Sequence, residues 1–117
     1  SAPQPIDRSP EMLEFCSMDT YMGYVTFKNQ NEAQSLCQSM VEKRLVACAN
    51  IHAPHTAIYE WENSVHVESE VSATLKTTKD RLKAVEDFIV QNHSYTTPCL
   101  VFWPIEEGTD NFLDWIY

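Results

Sequence analysis

Glycine is almost missing from this sequence, with two in 117 residues. That scarcity removes the glycine-rich loops that cradle phosphates: there is no GxGxxG and no P-loop. Long apolar runs are missing too. The longest, Cys99 to Trp103, is closed by Pro98 and Pro104, far short of the roughly 18–20 residues that cross a bilayer. No basic stretch leading into an apolar run opens the sequence, so no secretory signal is expected. Positive charge is sparse, with 8 Lys and Arg against 17 Asp and Glu and a formal charge of −9. Such a balance excludes the broad basic surface that nucleic acids and anionic membranes reward, so neither is an expected partner. The four cysteines (Cys16, Cys37, Cys48, Cys99) form no CxxC pair. A reducing, cytoplasmic compartment suits them better than a disulfide framework. His52 and His55 stand three apart in an extended stretch, where side chains point to opposite faces. A structural zinc site needs four ligands at ordered spacing, and that pattern is absent.

What remains is a folding sequence. It is 44% hydrophobic and 11% aromatic, which suits one globular domain with its own core. Residues 1–19 hold three of the six prolines (Pro3, Pro5, Pro10) and read as a flexible leader; residues 20–117 read as the domain. Met12, Leu13 and Phe15 could dock the leader locally.

Tyr21 to Lys28 alternates like a strand. Asn31, with Gln34 three positions on, predicts the start of a helix. Ala33, Leu36, Cys37, Met40, Val41 and Leu45 then recur at helical spacing. Residues 48–62 and 65–77 both read as extended, joined by an Asn63-Ser64 turn that pairs Glu62 with Val65, Trp61 with His66, Tyr59 with Glu68 and Ala57 with Glu70. One face then carries Val65, Val67, Val71, Ala73 and Leu75, a stripe fit for burial; the other carries Tyr59, Trp61, His66, Glu68 and Glu70. Thr77 or Thr78 caps a second helix with Asp80 near its start and Leu82, Val85, Phe88 and Ile89 inward. Pro98 ends the following loop, and CLVFW reads as an interior strand with Cys99 in the core. Asp110 to Tyr117 predicts a short terminal helix bearing Phe112, Leu113, Trp115 and Ile116.

Strand, helix, strand, strand, helix, strand is the order of a ferredoxin-like (βαββαβ) α+β fold, with an antiparallel sheet and two helices on one face. The bare face needs another subunit, so the chain is expected to self-associate.

Several segments in order resemble the CutA divalent-cation tolerance family. They are the run from Val41 to Ile51, Ile58-Tyr59-Glu60-Trp61-Glu62, Glu70-Val71 with Leu75-Lys76-Thr77, His93-x-Tyr95-x-x-Pro98, Pro104-Ile105-Glu106-Glu107-Gly108, and Phe112-Leu113-Asp114-Trp115. The resemblance implies a homotrimer whose long hairpin reaches neighbouring subunits, and tolerance to copper and other divalent metals. It also implies metal ligands at the end of the first strand and at two histidines after the second helix. Those positions hold Phe27 and Asn92-His93, so His93 alone carries over.

Three candidate sites follow. His93 is either a copper ligand or a helix C-cap. Cys48 is either a soft thiolate for Cu(I) or a packed thiol. Tyr59, Trp61, Glu68, Glu70, Lys76 and Tyr95 form either an inter-subunit seam, with Lys76 or Arg44 neutralising the carboxylates, or a cleft for a ligand or hard cation. The expected function is a non-enzymatic, homotrimeric, metal-responsive tolerance protein, with copper or another divalent ion as its cofactor. One rival is a signalling trimer similar to PII regulators that binds small ligands between subunits. The other is an enzyme using a cleft thiol such as Cys48.

Overall fold

The computed structural model describes residues 19–117. The leader expected over residues 1–19, with its apolar docking spots and Cys16, lies outside the described residues, Asp19 excepted. The elements run β1 (Thr20–Phe27), α1 (Gln30–Glu42), β2 (Cys48–Ile51), β3 (His55–Trp61), β4 (Ser64–Thr78), a 3-10 turn (Lys79–Arg81), α2 (Leu82–Asn92), β5 (Leu100–Pro104) and α3 (Asp110–Ile116). The result is an α+β domain with an antiparallel sheet and three helices among the described residues.

In β1, Val25 and Phe27 turn inward with Gly23, while Met22 and Tyr24 alternate outward. Gly23 is required by packing: a Cβ there would stand 3.0 Å from Phe102 Cε1 and 3.3 Å from Leu75 Cβ.

Helix α1 starts two residues earlier than the spacing predicts. Asn29, extended at φ −161°, is the N-cap, and its Oδ1 accepts from the Glu32 amide at 2.9 Å. Asn31 already lies in the first helical turn, where it cannot cap. The helix buries Ala33, Cys37 and Met40, but Val41 falls outside the stripe and is exposed. Its C-terminus closes with Leu45 N–H on Met40 O (2.9 Å) and Arg44 N–H on Val41 O (3.0 Å). This is a Schellman end in which Arg44, at φ 59°, takes the left-handed position that glycine usually fills. Arg44 is thereby fixed at a helix end, not beside the hairpin carboxylates.

The expected extended stretch 48–62 is two strands. Pro54 has no N–H to continue a ladder, and the chain breaks between Ile51 and His55. Both pieces pair with β4, β2 through Cys48↔Lys76 and β3 through His55↔Glu70. Sheet order is β2-β4-β1-β5, with β3 continuing along β4.

The hairpin turn also differs from expectation. Its central residues are Glu62 (φ 51°) and Asn63 (φ 65°), the two positive φ angles of a type I′ turn. Tyr59 therefore pairs with His66, and Ala57 with Glu68. Each partner moves by two residues, and with a side-chain period of two the faces survive the shift. The apolar stripe splits instead. Val71, Ala73 and Leu75 are buried, but Val65 and Val67 are 70% and 66% exposed because the hairpin runs past the body.

Strand β4 continues through Thr78, so Thr77 belongs to the sheet, buried, with its hydroxyl on Leu45 O. Thr78 caps the 3-10 turn and donates to the Asp80 carboxylate, and α2 then buries Val85 and Ile89.

Strand β5 pairs with β1 alone, so CLVFW is an edge strand and not an interior one. Leu100 and Phe102 pack against the core, Val101 and Trp103 face outward, and Cys99 is exposed. Apolarity on both sides here reflects an outer face turned away from α1 and α2. Val25, Phe27, Val71, Ala73 and Leu75 from the sheet, Ala33, Cys37 and Met40 from α1, and Val85 and Ile89 from α2 make one core, so α1 and α2 share the opposite face.

Candidate functional site

A cleft of about 630 Å³ opens between the β3–β4 hairpin and the loop after α2, with Glu70, Tyr95, Tyr59 and Trp61 among its lining. The loop is held from two directions. His93 ends α2 with its amide on Ile89 O at 2.9 Å. The Ser94 amide then donates to Glu32 Oε2 at 3.0 Å, tying the loop to the start of α1. Burial alone would raise the Glu32 carboxyl, but hydrogen bonds from Ser94 and the Lys28 amide hold it below its ordinary value.

His93 has both ring nitrogens engaged. Nε2 stands 2.7 Å from Thr26 O, and Nδ1 accepts the Tyr95 amide at 2.9 Å. A carbonyl can only accept and an amide can only donate, so the ring is the neutral Nε2–H tautomer. Its plane stacks on Phe27 (centroids 5.2 Å apart) and leans against Tyr95 (4.8 Å). A metal on His93 would have to displace one of these backbone partners.

Tyr95 turns its phenol the other way, donating to Glu70 Oε2 at 3.2 Å. Glu70 Oε1 lies 3.4 Å from Nε2 of His55, its cross-strand partner. Burial, and after it the Glu70 carboxylate, push the Tyr95 phenol up to about 12. Further out on the hairpin, Tyr59 donates to Glu68 Oε2 at 2.9 Å and stacks on His66 at 5.3 Å. That hydrogen bond is the main reason the Tyr59 phenol is raised.

The expected constellation is therefore brought together only in part. Tyr59, Trp61, Glu70 and Tyr95 line one cleft, and Glu68 joins it through Tyr59. Lys76 does not neutralise these carboxylates. It sits six residues along β4 from Glu70, about 20 Å at strand rise, donating to Asn50 and lying 5.9 Å from the Phe112 ring centre. Cys48 pairs with Lys76 at that same distant end. Burial raises the Cys48 thiol, with Lys76 opposing, so no strongly activated thiolate is set up there. His93 beside Thr26 and Cys48 beside Lys76 lie at opposite ends of the β1–β4 ladder and cannot share one ion within a chain. Among the described residues no three His, Cys, Asp or Glu side chains converge as a metal site. The donors among the described residues of a single chain do not fit a resident copper ion.

His55 figures in the sequence only as half of a His52–His55 pair that cannot share a ligand. It is a half-buried partner of Glu70, and the signal that finds it is the hairpin register: a turn centred on Glu62-Asn63 sets His55 opposite Glu70.

Fold and cleft define a class: an α+β domain with two helices, α1 and α2, on one face of an antiparallel sheet and a long hairpin beside a ligand-sized cleft. The sequence matches the CutA1 divalent ion tolerance protein family over residues 21–117. It is 38% identical to the divalent-cation tolerance protein CutA of Archaeoglobus fulgidus over 93 residues, 80% of this chain and 90% of that protein. It is 34% identical to human protein CutA, covering 80% of this chain but 52% of the human protein, about half its length. The solved structure of the periplasmic divalent cation tolerance protein CutA from Archaeoglobus fulgidus matches with TM-score 0.80 and 36% identity, over 83% of this chain and 94% of that one. The chain belongs to the CutA1 divalent ion tolerance family. No helix among the described residues is long and apolar enough to cross a membrane.

Proposed function

We propose that this protein supports tolerance to divalent cations, copper among them, as a homotrimeric ferredoxin-like scaffold without catalytic activity. The observation that carries the reading is the uncovered apolar surface of the single chain. Ile58, Val65 and Val67 on the hairpin and Val101 and Trp103 on β5 meet solvent, while α1 and α2 shield only the other side of the sheet. Several large apolar side chains left in water favour association. Copies of the chain are the partner this reading names. The free thiols of Cys37, Cys48 and Cys99 suit the reducing compartment it assumes, the cytoplasm, although the archaeal relative is described as periplasmic. Expression of a tagged full-length protein followed by fractionation tests that assignment.

In this reading a copper ion is not held by one chain, because His93 is engaged and Cys48 is remote. Binding, where it occurs, takes donors from more than one copy. Calorimetric titration with Cu(II) and Zn(II) tests this on the wild type, on His93→Ala and on the double variant Val65→Lys, Val67→Lys. Saturable heat that survives His93→Ala and vanishes in the double variant supports the reading. Heat that persists in a monomeric double variant contradicts it.

The cleft favours a second element of function, a small ligand that biases the assembly as in PII-like regulators. Glu70 and Tyr95 are held in place by His55, His93 and Thr26, which is the preorganisation a binding site needs.

A further inference from the structure

The cleft has one kind of charge and one kind of wall. Its charged group is the carboxylate of Glu70, hydrogen-bonded to Tyr95, and no lysine or arginine among the described residues lines it. Tyr95, Tyr59 and Trp61 supply aromatic surface, and Thr96 and Thr97 belong to the same lining. The Tyr95 phenol feels Glu70, Glu68 and Glu32 together, so the negative potential there exceeds what one carboxylate gives. A bare metal ion fits this poorly: hard divalent ions take about six to eight oxygens, and no such cage forms. An anion would meet uncompensated negative charge. A neutral apolar molecule would strand the carboxylate in a desolvated site.

We infer that the cleft binds a primary alkylammonium ion, with the –NH3+ group on Glu70 and its methylene chain along Tyr95 toward Tyr59. Three N–H donors can be divided between the carboxylate and the threonine hydroxyls. The aromatic faces add cation–π attraction and bury the chain. Glu70 Oε1 meets His55 at 3.4 Å, and as a carboxylate oxygen with two lone pairs it can accept this donor as well. The proposal rests on reading the cleft as the ligand site of the assembled protein, and goes beyond it in naming the ligand class.

The test is calorimetric titration of the full-length protein with n-butylammonium chloride and, separately, with 1-butanol, which has the same chain and no charge. Sodium chloride at matched ionic strength is the blank. The ammonium is expected to saturate at least tenfold more tightly than the alcohol. Glu70→Gln is expected to weaken the ammonium at least tenfold and leave the alcohol unchanged. Equal affinity for the two ligands overturns the ammonium assignment whatever the variant does. An unchanged ammonium affinity in a folded Glu70→Gln also overturns it. Sedimentation of the same samples separates the two readings. Neither ligand binding to an intact oligomer ends the ligand assignment alone, whereas a monomer in every sample ends the assembled-cleft reading beneath it.

Discussion

Tyr95 donates its phenolic hydrogen to Glu70 across 3.2 Å, joining the loop after α2 to the base of a hairpin 25 residues earlier. Both residues line the cleft, and the Tyr95 amide is itself fixed on His93. Removing the hydroxyl leaves the carboxylate with His55 alone. Tyr95→Phe is expected to lower stability by about 1 kcal/mol, the ordinary worth of one partly exposed hydrogen bond. Amide exchange in residues 94–99 should speed up while that of β1 stays unchanged. Urea denaturation and exchange mass spectrometry check both.

The type I′ turn at the hairpin tip is filled by Glu62 and Asn63, at φ 51° and 65°. Asparagine tolerates such angles, but a longer side chain pays roughly 1 kcal/mol for them. Replacing the pair by Asn-Gly should raise the urea midpoint by an amount corresponding to about 0.5–1 kcal/mol. Because Glu62 and Asn63 are not among the residues that line the cleft, its ligand affinity should change little.

The fold is legible in the sequence wherever periodicity is continuous. The α1 stripe, the alternation of β1 and the buried Val71-Ala73-Leu75 row all predict their elements. Most of the failures have one of two causes, a turn or a face that this chain's helices leave bare. A turn displaced by one residue moves every β3–β4 partner by two and hides His55 from the site, yet preserves the faces. Val65 and Val67 read as core because period-two patterning cannot tell a stripe covered by this chain's helices from one left uncovered. CLVFW reads as interior for the same reason. The candidate site divides likewise: Tyr59 and Glu68 meet through a diagonal contact, while Lys76 shares their strand but not their end of it.

Buried thiol chemistry gives a pH dependence of definite sign. Burial pushes Cys37 from an ordinary value of 9.0 up to about 11. Across that interval the unfolded chain has released the proton and the folded chain retains it. Stability is therefore full below about pH 9 and falls as the pH climbs toward 11. Tyr95, raised from 10.0 to about 12, extends the decline. Urea midpoints measured between about pH 8 and 11 should fall, and less steeply in Cys37→Ala, although the cavity lowers that variant's midpoint throughout. Native alkylation near pH 8 should modify exposed Cys99 well before Cys37, which reacts only on unfolding.

Sedimentation velocity of the full-length protein at low micromolar concentration tests the central claim most directly, that copies of this chain cover the bare side of the sheet and the projecting hairpin. The account predicts a particle of three 13.5 kDa chains that falls to a folded single chain when Val65 and Val67 are both replaced by lysine. A wild-type protein that runs as a folded 13.5 kDa monomer contradicts it.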